Sequence, residues 1–304
     1  MTTRAMGPLA GIGWLKNAIN LGRHNPKAIF GGAGLILLVA LLPSAITLPA
    51  QLLLKPGPTG LIAIMAFSML ASLLLVPLVG GYLQLIDAVE HRRPARATDV
   101  FAPYRNGGGA LRLIGFGVAM LAVYLVVVAA IIAVAGTGIF TWYLQVLAAS
   151  PETGANAAAM PQLPAGLGLA IALGSVFGLF LSGMYSIGFG QIALGRRSIG
   201  GALGDGFAGG LKNLLPLLVL VLAALVAWVA VVVAFLLLAL LLGLLAKLLG
   251  AWFLVTLMVL MVPLYIGLLL SIYVVMFGVM YYLWRDVCGG NDATAPSSTE
   301  ALTA

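Results

Sequence analysis

Polar and apolar positions in this chain alternate over whole segments rather than single residues. Apolar stretches run over about residues 28–50, 60–88, 110–147, 165–194, 213–246 and 251–284, separated by short polar or basic segments. A helix crosses about 30 Å of hydrocarbon with roughly 20 apolar residues, so the pattern predicts six transmembrane helices. The third and fifth stretches exceed one crossing and must tilt, kink or project from the bilayer. Backbone in lipid must satisfy its own hydrogen bonds, so the predicted fold is all-α, a polytopic membrane helical bundle.

One plan recurs three times: a polar stretch ending in Asn, then a pair of apolar spans. The lead-ins are Trp14 to Asn25, Asp99 to Asn106 and Asp205 to Asn213, and the returning spans end in Arg92-Arg93, Arg196-Arg197 and Trp284-Arg285-Asp286. This reads as three helical hairpins, a decayed internal repeat. The first lead-in, over 9–25, predicts a short interfacial helix, because Lys16, Asn20, Arg23 and Lys27 recur at spacings of 4, 3 and 4 and share a face. Ile12, Trp14, Leu15, Ala18, Ile19 and Leu21 fill the other side. Such a helix lies among anionic headgroups or packs on the protein's own loops. Residues 1–288 form the membrane domain in this reading, and 289–304, poor in apolar periodicity, a disordered tail.

Composition excludes a soluble domain: 62% of residues are hydrophobic, 8% are charged and the mean hydropathy is +1.16, where a soluble domain is about a quarter charged. The net charge of +7 raises nucleic-acid binding as a possibility, which the placement of the charges argues against. Of the 15 basic residues, 13 fall in the N-terminal segment, the two loops after spans two and four, and the end of span six; only Lys55 and Lys247 fall on the other side. The Lys/Arg excess marks cytoplasmic loops, so both termini are expected in the cytoplasm. Tyr281, Tyr282 and Trp284 at one level and Trp142, Tyr143 and Trp252 at the other fit two aromatic belts. The first apolar stretch begins only near Ala28, which favours a permanent anchor over a cleaved signal. Residues 150–164 form the one sizeable exterior loop.

Chemistry is sparse. The span centres hold no ionisable residue, and Asp87, Glu90 and His91 lie in the last turns of span two. Matching the paired arginines sets Asp87 opposite Gln191, either as the rim of a polar entrance or as hydrated helix ends. His24 and His91 are far apart in sequence, no metal or nucleophile motif occurs, and no catalytic, cofactor or metal site is expected. The single Cys288 reads as a free thiol. Gly107-Gly108-Gly109 and the glycines from 200 to 210 precede spans three and five, and either hold a lipid phosphate at a helix N-terminus or allow tight reversals. Lys16, Arg23, Lys27, Arg92, Arg93, Arg196 and Arg197 are the candidate contacts to anionic headgroups. On span four, Gly166, Ala170, Gly174, Gly178, Ser182, Ser186 and Gly190 recur every fourth residue and predict close helix packing, with another span or another copy as the partner.

The Gly13-Trp14 pair, Asn25-Pro26, the run Val76 to Gly81, and the basic loop leading to Asp99-Val-Phe together resemble a family of six-span bacterial inner-membrane proteins that has no established activity. The resemblance is best over residues 11–130. More distantly, the plan is similar to the membrane domain attached to some bacterial glycerophosphodiester phosphodiesterases, without their catalytic domain. It implies a bacterial inner-membrane location and transfers no active-site residue. The expectation is a non-enzymatic scaffold or accessory subunit that engages lipid, a membrane partner or a second copy, and no nucleic acid. The competing expectation is a transporter or channel for a small or lipid-like solute, with Pro43, Pro77, Pro216 and Pro263 as bends and Ser72, Thr256 and Ser271 as midplane polar groups.

Overall fold

A computed structural model describes residues 3–54, 58–105, 109–139, 141–142 and 162–289. The readings made for Lys55, Asn106, Gly107, Gly108, Tyr143, most of the 150–164 loop and the tail beyond Gly289 fall outside these residues, as do the side chains of Trp252 and Thr256.

The described chain is helical throughout: α1 (Ala10–Ile19), α2 (Pro26–Leu54), α3 (Pro58–Glu90), α4 (Ala102–Arg105), α5 (Gly109–Ala135), α6 (Leu167–Ala193), α7 (Ile199–Lys212), α8 (Leu214–Leu249) and α9 (Ala251–Cys288), with short 3-10 turns at Leu21–Arg23 and Ala97–Phe101. Six of these, α2, α3, α5, α6, α8 and α9, are long and apolar enough to cross a membrane, and they pair as the three expected hairpins. Their boundaries fall where local chemistry puts them. Asn25 Oδ1 accepts from Ala28 N at 3.1 Å and Pro26 opens α2, a position where its missing N–H is no loss. α5 ends at Ala135 because Gly136 takes φ +104°, so the third span is shorter than the apolar run to 147. α9, with 38 residues, would be about 57 Å long at 1.5 Å per residue and so outreaches the hydrocarbon.

The three lead-ins pack in a cycle. Each packs mainly on the preceding hairpin rather than on its own: Ala97–Arg105 on α2 and α3, α7 on α5 and α6, and α1 on α8 and α9, which closes the ring. Each return helix offers a glycine to the incoming segment. A Cβ would meet Val100 O at 2.0 Å from Gly81, Ala202 O at 3.0 Å from Gly188, and Ala18 Cβ at 3.0 Å from Gly278. Backbones approach this closely only where no side chain intervenes.

The core occupies one end of the bundle, the end bearing the arginines. Burial stops beyond Ile36 in α2, Met120 in α5 and Leu217 in α8 apart from Ala246, and begins only at Pro77 in α3, Leu181 in α6 and Val274 in α9 among the described side chains. Tyr82, Tyr281, Phe116 and Phe189 fill its centre, with the Tyr82 and Phe277 rings edge to face at 5.3 Å. In the opposite halves the spans expose apolar side chains around most of their circumference, Leu53 and Leu248 at 81%.

Several expectations change. The 9–25 helix is interrupted at Asn20, and its apolar side divides: Gly11, Trp14 and Ala18 are buried on α8 and α9, while Leu9, Ile12 and Ile19 remain exposed beside Lys16. The glycines of 200–210 belong to a helix, not a reversal. Ala202, Gly206 and Gly210 set α7 against the backbone of α6, where a Cβ on Gly206 would lie 2.5 Å from Met184 O. On α6 itself, Gly166 and Gly190 are tight, against Ala135 O and Trp284, but Gly174 and Gly178 face open space within the single chain. The close approach is made instead by Gly183 and Gly188, on another face of the helix. Pro216 lies in the first turn of α8 and bends nothing.

Candidate functional site

At the arginine end the three return helices bring their polar last turns together. Asp87 on α3 receives Tyr281 Oη from α9 at 3.0 Å and pairs with Arg93 and with His91 Nδ1 at 3.3 Å. Gln191 on α6 accepts from Trp284 Nε1 at 3.5 Å and donates to Asp205 Oδ2 at 2.9 Å, which also receives Arg197 Nε at 3.1 Å. Asp87 and Gln191 therefore each hold one aromatic side chain of α9, Tyr281 and Trp284, which are one turn apart on the same helix face. Asp87, Tyr281 and Trp284 line a polar pocket of about 930 Å³ whose walls also include Arg4, His91, Arg93, Arg285 and Asp286. Its charges are mixed and largely paired, with Arg285 close to both Glu90 and Asp286.

A second pocket, of about 700 Å³, opens between the first and second hairpins. Arg93, Arg112 and Arg196 line it with Gln84, Asp87 and Gly109, the first residue of α5. Arg112 reaches across to the end of α6, donating to Ile192 O at 3.3 Å and Arg196 O at 3.4 Å, and its buried Nε has no hydrogen-bond partner among the described residues. Gln84 Nε2 donates to Ala193 O at 3.0 Å and ties α3 to the same helix end.

Local backbone explains why arginines converge here. The chain leaves both α3 and α6 through a left-handed arginine, Arg92 at φ +54° and Arg196 at φ +52°, a conformation that glycine adopts without strain. At α3 the ending is a Schellman motif, with Arg92 N on Val89 O at 3.0 Å and Arg93 N on Ala88 O at 2.8 Å. At α6 the corresponding bond moves to Gln191 O, from Arg197 N at 3.1 Å, and Arg112 takes Ile192 O.

Of the predicted headgroup contacts, Lys16 and Arg23 on the first lead-in and Lys27 in the first turn of α2 are exposed, Arg93 and Arg196 both line the second pocket, and Arg92 is exposed outside it. Arg197 is drawn inward by Asp205. Arg112 was missing from that set; its position one turn behind the Gly107–Gly109 run was the available signal. Cys288 is buried. No group of three or more His, Cys, Asp or Glu side chains able to hold a metal occurs among the described residues.

Six apolar spanning helices around a single one-ended core define a multi-pass α-helical membrane protein. Comparison with protein-family models, curated proteins and solved structures finds no match for the chain, so its role has to be read from its own geometry.

Proposed function

We propose that this chain is a non-enzymatic scaffold or accessory subunit of a bacterial inner membrane, with both termini cytoplasmic, which engages anionic lipid and membrane partners. The observation that carries this reading is the one-ended core. More than half of each span lies outside the buried core, and in a bilayer such apolar surface is covered by lipid or by other helices. The span hydroxyls support it. Ser68, Ser72, Ser175, Ser182, Ser186 and Ser271 each donate to a carbonyl of their own helix three or four residues back, and so offer little to a polar solute. The exposed Leu9, Ile12 and Ile19 beside Lys16 suit a helix seated at the headgroup level. Purification in mild detergent with mass spectrometry of bound proteins and lipids tests the reading: a stoichiometric partner or retained anionic lipid supports it, and a lone lipid-free protein overturns it.

Transport of a lipid-like solute is the second reading. It is favoured by the same one-ended core, in which Tyr82, Phe277 and Tyr281 are buried at the arginine end while the far halves of the spans are left to lipid or a lipid-like solute. Flux in proteoliposomes that rises on Tyr82→Ala would support it.

A further inference from the structure

We propose that the pocket between the first and second hairpins is a binding site for a dianionic phosphate group, a phosphomonoester or diphosphate; this rests on the lipid-engaging reading and names its site and headgroup class. Three arginines and one aspartate line the pocket, leaving two positive charges in excess. Arg93 is matched by Asp87, so Arg112 and Arg196 supply the excess. A phosphomonoester carries close to two negative charges at neutral pH, whereas the phosphodiester of a common phospholipid carries one.

The donor geometry suits the same group. Guanidinium forks bind phosphate oxygens in pairs, and Arg112 enters with a buried Nε unpartnered among the described residues and with its other two bonds long, at 3.3 and 3.4 Å. Gly109 begins the 27-residue α5 at the pocket wall, which adds the positive end of a helix dipole. Arg196 occupies a backbone conformation in which glycine is unstrained. An arginine there is structurally costly, and its side chain lines the pocket. Arg112 also caps the carbonyl end of α6, so a merely structural role for it must be separated from binding.

The test uses the full chain purified in phosphate-free detergent, with dioctanoyl phosphatidic acid, dioctanoyl phosphatidylglycerol and inorganic phosphate as probes in calorimetry. Phosphatidic acid is expected to bind at least tenfold more tightly than phosphatidylglycerol. Arg196→Gly should lower that affinity at least tenfold while leaving the melting temperature unchanged or higher, which removes misfolding as an explanation. Arg112→Gln should lower it likewise, and Asp87→Asn, which releases Arg93, should raise it severalfold. A structural role alone would not predict that gain. Competition by inorganic phosphate identifies a soluble phosphate ester as the source; binding of phosphatidic acid without such competition identifies a lipid headgroup. Equal affinity for the two lipids, or wild-type affinity in Arg196→Gly, overturns the site. If anionic lipid is still retained in that case and is lost on replacing Lys16, Arg23 and Lys27, the lipid-engaging reading survives without the pocket.

Discussion

Trp14 Nε1 donates to Asp286 Oδ2 across 2.9 Å, joining α1 to α9, the first and last helices among the described residues. The indole is 1% exposed, and Gly11, one turn earlier, lies so close to α8 that a Cβ would meet Pro216 O at 2.2 Å. Asn213 strengthens the same junction: buried between α7 and α8, it donates to Arg4 O at 2.9 Å and accepts from Met6 N at 2.8 Å.

Trp14→Phe keeps most of the buried surface and deletes the donor, and Asp286 retains Arg285 as a partner; the expected loss is about 1 kcal/mol. Trp14→Ala empties a core position and should cost about 3–5 kcal/mol. Thermal melts in detergent that rank the two alike would contradict this junction.

Glycine substitutions on α6 should divide by face. Gly174→Leu and Gly178→Leu meet open space and are expected to leave the melting temperature of the monomer within a degree or two of wild type. Gly188→Leu drives a side chain into Phe116 and Ala202 O, and overpacking of this kind costs about 1–3 kcal/mol or more. If the first pair shifts sedimentation without shifting stability, its partner is a second copy of the chain.

Arg92 ends α3 in the left-handed region and its side chain is exposed. Arg92→Gly removes a steric cost of about 1–2 kcal/mol, partly offset by the greater freedom of glycine in the unfolded chain. The net expectation is a stabilisation of a few tenths of a kcal/mol to 1 kcal/mol by denaturant titration, with a loss of stability counting against it.

Orientation is best read with introduced thiols, because native Cys288 is buried and should label poorly from either side. In a Cys288→Ala background, Gly7→Cys and Gln51→Cys place exposed thiols at opposite ends of the bundle. An impermeant maleimide added to intact cells should label the second and spare the first; the reverse pattern inverts the proposed topology.

The spans were legible in the residues because lipid imposes a length and forbids charge, and both leave marks in a linear pattern. The 38 residues of α9 extend that pattern four residues past Trp284, where the last turn is polar and no apolar count could follow it. Packing was less legible. Small residues every fourth position on α6 state that a close approach is possible, not at which of the helix's glycines it happens; α7, which packs against Gly183 and Gly188, was hidden because its own glycines argue against a helix. Ser198, whose Oγ accepts from Gly201 N at 3.2 Å, was the local sign that one begins there. The second pocket was half visible: the arginine pairs stood out, but Arg112 joins them only through the crossing of α5 and α6.

The cyclic arrangement of lead-ins has a consequence for biosynthesis. The second and third lead-ins find their docking surfaces already made when they leave the ribosome, since each rests on the hairpin before it. α1 does not. Its seat on α8 and α9 is the last part of the bundle to be made, so the first helix must wait at the bilayer surface through the insertion of all three hairpins, and a chain halted before α9 would be left with an open ring and an exposed Trp14 for quality control to find.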